Sequence, residues 1–202
     1  MPVALSETAD YLGLSLDEFL EEVAAATPAP GAGAVAATVV ALAAGLAAMA
    51  AGLSTRQLPD AGELAERMRR LQERVKPLAQ RDAAAYGEVL SAQRAGPPGP
   101  QRTAAVREAL SRAADLPLEM ATIGMSVLDV AADVARRGNP NLRGDALTAW
   151  LLAQSAVEAT TALVELNLPD AEDPRRARAE ALASAARTTS LPPVTPSGVG
   201  PT

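Results

Sequence analysis

A chain of 202 residues fits one domain and is long enough to bury a substantial core. It contains no cysteine and no histidine, which removes disulfides, thiol catalysis, the usual zinc sites and the commonest general base. Its net charge of −6, with no basic cluster, argues against nucleic acid as a partner. Apolar residues make up 49% of the chain but aromatics only 2%. The core must therefore be built from Ala, Leu and Val, side chains that favour close-packed helices over sheets. Acid–base chemistry falls to Asp, Glu, Tyr11, Tyr86 or the single Lys76. No basic and apolar export signal opens the sequence, so the expected location is the cytoplasm.

After a short lead-in, Ser15-Leu-Asp-Glu18 reads as a capping box, with Leu14 and Phe19 at hydrophobic-staple spacing, and predicts a helix over 16–26. Thr27-Pro-Ala-Pro-Gly-Ala-Gly33 then turns the chain through two prolines into a long Ala-rich helix ending near Ser54. No charge occurs from Val23 to Thr55. Such a run is long enough to span a bilayer. Its Ala and Gly content and its lack of aromatic or basic anchors instead predict the buried central helix of a bundle, with no membrane. Gly31 and Gly33 leave the first backbone N–H groups of that helix uncovered, where an anion or a polarised oxygen is attracted.

Asp60 starts a third, long helix with Leu64, Met68, Leu71, Val75, Leu78, Ala85 and Val89 on one stripe. Pro77 should kink it. Asp82 falls on the same stripe, where a carboxylate is costly unless it is paired, turned to the rim or placed at a pocket. A Gly-Pro-Pro-Gly-Pro loop (96–100) leads to a helix over 101–137 that Pro117 breaks locally. Gly138 ends it, at a position where a left-handed residue is expected. Gly138-Asn-Pro-Asn-Leu-Arg-Gly-Asp145 is a polar loop, with Asp145 in N-cap position for a helix over 146–168. Asp173-Pro174 opens a last helix to about 187. Residues 1–187 thus read as one all-α domain of about six helices around a long Ala-rich helix. Residues 188–202, rich in Pro, Ser, Thr and Gly, read as a disordered tail. Several helices are too apolar for a one-chain bundle, so a homodimer is expected.

Taken in order, these blocks resemble the cyclodeaminase/cyclohydrolase family, which includes the C-terminal domain of formiminotransferase-cyclodeaminase and methenyltetrahydrofolate cyclohydrolases. The segments that carry the resemblance are Thr-Pro-x-Pro-Gly-x-Gly before an Ala-rich helix, Asp82-Ala-Ala-Ala-Tyr86, Leu116-Pro-Leu-Glu119, Gly138-Asn-Pro-Asn141 with Asp145-Ala146, and Asn167-Leu168. The similarity covers about residues 16–185.

The resemblance implies an all-helical dimer that acts on a one-carbon folate, with no cofactor beyond a tetrahydrofolate-type substrate and no metal. Either water opens methenyltetrahydrofolate, or formiminotetrahydrofolate cyclises with loss of ammonia. Both routes pass through a tetrahedral carbon between two nitrogens. A buried carboxylate suits such chemistry, because it stabilises the cationic amidinium and exchanges protons with it. On this reading Asp145 and Asp82 are the catalytic pair, one with a raised pKa. Gly31, Gly33, Tyr86, Asn139, Asn141 and Asn167 contact the substrate, and Arg143 meets its glutamate tail. Four positions depart from the family pattern: Ala32 and Ala34 in the glycine turn, Gly144 before Asp145, and Leu163 where the family has Asn. A site that loses polar groups changes its preferred substrate. Two alternatives therefore stand beside the folate enzyme: the same fold with a pocket repurposed for another imine or amidine, and a non-catalytic helical dimer.

Overall fold

The structure, a computed structural model, describes residues 10–190. Among the described residues the chain is all-α: α1 (Leu16–Ala24), α2 (Ala32–Gly52), α3 (Ala61–Val75), α4 (Leu78–Arg94), α5 (Pro100–Ala113), α6 (Asp115–Arg137), α7 (Arg143–Asn167) and α8 (Pro174–Thr188), with a 3-10 turn at Pro140–Leu142 ahead of α7. All six expected helical runs are present, and the two longest are each divided at a proline. Pro77 has no N–H for the Glu73 carbonyl, so α3 ends and α4 starts anew behind it. Pro117 cannot donate to the Ala113 carbonyl, and that run divides between Ala113 and Asp115. Residues 1–9, and residues 191–202 of the tail expected from 188 onward, lie outside the described residues; Thr188 is the last residue of α8.

The Ser15 capping box forms as its spacing requires. The Ser15 N–H donates to Glu18 Oε2 at 2.8 Å, and the Glu18 N–H donates to Ser15 Oγ at 3.3 Å. α1 nevertheless buries no residue, so it is held by its cap more than by packing.

α2 is the centre of the fold, packed against α3, α4, α6 and α7. α2 and α7 are both long and apolar enough to cross a membrane, but 61% of the apolar window of α2 is covered by the other helices. Its alanines let neighbouring backbones approach on three sides. Met68 and Val75 of α3, Met120 and Val127 of α6, and Ala149, Trp150 and Ala153 of α7 join it in the main core. The stripe expected on α3 and α4 is the buried one: Met68, Val75, Leu78 and Val89 are each at most 1% exposed.

A second device fixes α8. The Arg175 guanidinium donates to the Ser111 carbonyl (2.7 Å), Ser111 Oγ (2.7 Å), Asp115 Oδ1 (2.8 Å) and Asp173 Oδ2 (2.7 Å), just where α5 gives way to α6. Its charge holds the Asp173 carboxyl down at about 2, through hydrogen bonds from the Arg175 side chain and backbone. Arg175→Ala removes several charge-assisted bonds at a partly covered position and is expected to cost about 2 kcal/mol in urea unfolding. Arg187→Ala, whose partner pair is exposed, should change stability by less than about 0.5 kcal/mol.

Two local expectations are corrected at the far end of α2. Gly138 is extended (φ −74°, ψ −166°), not left-handed. A Cβ there would meet the Val134 carbonyl at 2.5 Å and Ser54 Oγ at 2.9 Å, so glycine is required for close approach. Asp145 is not the N-cap. The 3-10 turn runs directly into α7, whose N-cap is Leu142, and Asp145 falls in the first turn.

Candidate functional site

The turn before α2 and the first half of α4 face each other across a cavity of about 300 Å³. Pro28, Ala29, Gly31, Ala32 and Gly33 form one wall, and Asp82, Ala83, Tyr86 and Val89 form the other. Ala113 of α5 and Leu163 and Asn167 of α7 close it. The turn is shaped by its own sequence: the Ala29–Pro30 bond is cis, and the Thr27 hydroxyl donates to the Ala29 carbonyl at 3.1 Å. Gly31 is the N-cap of α2 and offers no side chain to cover the first N–H groups.

Asp82 is the chemically distinctive group. Its carboxyl lies directly on Gly33, so that a Cβ at that position would overlap all three carboxyl atoms. It is half-buried and takes no hydrogen bond or ion pair among the described residues. Burial pushes its pKa from 3.8 up to about 6. A carboxyl in this state is present in both protonation forms near neutrality, as a proton shuttle requires.

Tyr11 stands next to this centre. Burial raises the pKa of its phenol, and the carboxylates of Glu22 and Asp82 raise it further. Its N–H donates to Gln80 Oε1 at 3.3 Å, and its ring meets Phe19 edge to face at 6.0 Å. In the sequence its only signal was that it is one of two tyrosines. The wall residues Pro28, Ala29, Val89 and Ala113 gave no signal either, since each reads there as a turn or core position.

Of the residues singled out in the sequence, Gly31, Gly33, Asp82, Tyr86 and Asn167 line this one cavity. Asn139, Asn141, Arg143 and Asp145 do not. Asn139 donates its N–H to Ser54 Oγ at 2.9 Å and its Nδ2 to the Leu53 carbonyl at 3.2 Å, which fixes it at the C-terminal end of α2. Its Oδ1 accepts the Asn141 N–H at 3.1 Å. Both ends of the Asn139 amide thus tie the loop down. The cavity lies at the opposite end of α2, and Asn167 and Asp145 likewise sit at opposite ends of α7. At ~1.5 Å per residue, either helix separates the two groups by about 30 Å. One copy of the chain therefore does not bring Asp145 to Asp82.

The family profile described as formiminotransferase-cyclodeaminase matches residues 15–187. The fold is similar to the crystal structure of formiminotetrahydrofolate cyclodeaminase from Thermotoga maritima, with a TM-score of 0.75 and 26% identity over 87% of this chain and 89% of that one. No curated protein matches the chain. The helical order, the cavity at the glycine turn and the match over nearly the whole chain agree, and the chain belongs to the formiminotransferase-cyclodeaminase family.

Proposed function

We propose that this protein is a cytoplasmic, metal-independent enzyme of one-carbon folates, opening methenyltetrahydrofolate with water or closing formiminotetrahydrofolate with release of ammonia. The observation that carries the reading is the Asp82 carboxyl, without a partner among the described residues, set on Gly33 beside the bare start of α2 and facing the cavity. As carboxylate, Asp82 stabilises the cationic amidinium carbon and takes the proton of attacking water. The tetrahedral carbon then breaks one C–N bond as the protonated Asp82 returns that proton to the departing nitrogen, and the hydroxyl proton is released to solvent as the formyl C=O forms. In the deaminating direction the exocyclic anilino nitrogen attacks the formimino carbon carried by the ring nitrogen, and its proton passes through Asp82 to the leaving ammonia. Gly31 and Gly33 present backbone donors, while Tyr86 and Asn167 orient the substrate. The direct test follows the absorbance of methenyltetrahydrofolate and the ammonia released from formiminotetrahydrofolate. Acceleration of neither reaction by wild-type protein overturns the proposal.

A homodimer belongs to this reading. On α2, Val35, Val39, Leu42, Leu46 and Met49, followed by Leu53 at its C-cap, recur at alternating steps of four and three, and none of them is buried. This is the spacing of a helix–helix seam, and it is free of charge. If two copies pair antiparallel along it, the start of α7 with Arg143 and Asp145, and the turn before it with Asn139 and Asn141, lie in one copy beside the Asp82 cavity of the other. That is the arrangement in which Asp145 can act on the same substrate. Leu42→Arg together with Met49→Arg is expected to convert the dimer to monomer in sedimentation equilibrium and to lower turnover at least tenfold. An unchanged mass with unchanged turnover sinks the seam.

A second reading has its own support. Ala32 and Leu163, two of the positions that depart from the family pattern, lie in the cavity wall. The site is correspondingly poorer in hydrogen-bonding groups, which favours another imine or amidine over a pterin. A thermal-shift response to such a compound and none to folates selects it. The non-catalytic helical dimer remains if neither class of compound binds.

A further inference from the structure

Tyr11 is held beside Asp82 by three contacts of different kinds. The Asp10 carbonyl and carboxylate accept the Gly13 and Leu12 N–H groups, at 2.8 and 3.1 Å, and fold residues 10–13 into a tight turn. The Tyr11 N–H docks that turn on α4 through Gln80 Oε1 at 3.3 Å, two positions before Asp82. The ring packs on the main core and meets Phe19 of α1 edge to face. α1 buries none of its own residues, yet Phe19 and Glu22, three apart and so on one face, both act on Tyr11. The helix thus braces this side chain more than it fills the core. The family profile starts at residue 15, so the turn that carries Tyr11 lies ahead of the matched segment.

Two polar groups are left over beside each other. Tyr11 Oη takes no hydrogen bond among the described residues, and neither does the Asp82 carboxyl. One is a donor and the other an acceptor, and the Asp82 charge reaches the phenol. Burial and the carboxylates of Glu22 and Asp82 keep the phenol protonated through the neutral range. The remaining surroundings of Asp82 carry no charge: the start of α2, Ala113 of α5, and Leu163 and Asn167 of α7. Its neighbour Arg81 is turned toward Glu119 of α6, at 4.0 Å. Tyr86 and Asn167 line the cavity and face a bound substrate, whereas Tyr11 is not part of that lining and stays available to Asp82 when the cavity is filled. Glu22 is exposed and satisfied by water. The partly buried Asp82 gains more from a donor, because a hydrogen bond is stronger where water is scarce.

We propose that Tyr11 is a positioning residue for Asp82: its hydroxyl donates to the carboxylate when the carboxylate is charged and keeps the other oxygen turned to the cavity. The inference rests on Asp82 being the acid–base group of the reaction proposed above. No proton changes hands in this contact, since the phenol keeps its own. A hydrogen bond to the charged form favours that form, so Tyr11 works against burial and keeps Asp82 usable as a base near neutrality.

The test compares wild type with Tyr11→Phe, Tyr11→Ala and, as a control, Glu22→Gln. The Asp82 carboxyl carbon is followed by 13C NMR through a pH titration of the free protein, its signal assigned by its loss in Asp82→Asn. The pH profile of kcat/KM is measured with methenyltetrahydrofolate. Tyr11→Phe keeps the ring and its contact with Phe19, so its urea midpoint near pH 3, where Asp82 is neutral, should equal that of wild type. In this variant Asp82 is expected to bind its proton about tenfold more tightly, and the fall of kcat/KM at low pH to begin about one pH unit higher. Glu22→Gln should change the proton affinity of Asp82 less than about twofold, as an exposed charge does. An Asp82 titration unmoved in Tyr11→Phe overturns the proposal; if Tyr11→Ala then loosens the proton, the ring acts only by excluding water. A tenfold change in the titration without any turnover of folates removes the enzymatic reading and leaves the Tyr11–Asp82 pair standing. Turnover with an unmoved titration does the reverse.

Discussion

Asp82→Asn is expected to remove activity and stabilise the protein at the same time. Activity should fall about 10²–10⁴-fold, the usual contribution of a positioned acid–base group. The stability change follows from the pKa. The folded protein holds the Asp82 carboxyl at about 6 against an ordinary 3.8, so it binds the proton more tightly than the unfolded chain does. Well below pH 3.8, near pH 3, the group is protonated in both states and its burial costs nothing extra. As pH rises through about 6 the folded state is left with a poorly solvated charge, and above that the penalty is complete. Asn carries no such charge. The variant should therefore match wild type near pH 3 and exceed it at pH 7 by about 1–2 kcal/mol, a figure reduced because the carboxyl is still partly open to water. That corresponds to a rise of about 2–6 °C in Tm for a domain of this size. Urea unfolding at the two pH values reads the difference, and a gain that does not vary with pH would show that burial of charge is not its cause. In wild type, kcat/KM should decline below about pH 6 as the base becomes protonated. Stability given up at a group that the chemistry uses is what separates a working site from a mere packing detail.

The second large effect belongs to a residue with no functional group. Gly33→Ala places a methyl where the Asp82 carboxyl lies, and α2 is too tightly packed along its length to withdraw. The carboxyl must move, and a displacement of about 1 Å in a reacting group is enough to lower kcat/KM roughly 100-fold. Stability should change little, because the strain of about 1–3 kcal/mol is offset by ~1 kcal/mol of better helix propensity and by release of the buried charge. Gly62→Ala, in the first turn of α3 and outside the cavity, is the control. A Cβ there meets no heavy atom within 4 Å among the described residues. Its activity should stay within about threefold of wild type. If both alanines behave alike, the close approach of Asp82 to Gly33 is not what matters.

Most of the helical layout was legible in the chain because it rests on local physics. The Ser15 box, the proline breaks at Pro77 and Pro117 and the stripe through Met68, Val75 and Val89 depend on neighbours within one or two turns. Those neighbours are written in the sequence. Asp82 was legible for the same reason: a carboxylate interrupting an apolar stripe needs no tertiary knowledge to stand out. Gly138 and Asp145 were read incorrectly in detail because their conformations are set by contacts with Ser54 and by a 3-10 turn that local spacing does not encode.

The grouping of the site residues was a different matter. The sequence by itself determined an all-α chain around an uncharged alanine helix, with acidic groups as the available chemistry, since composition, charge and period act residue by residue. Only the tertiary structure decided that Gly33, Asp82, Tyr86 and Asn167 meet at one cavity while Asp145 lies the length of α2 away. The reason is geometric: helical spacing fixes which face a residue occupies, whereas which end of the bundle it reaches depends on how whole helices pack and reverse direction.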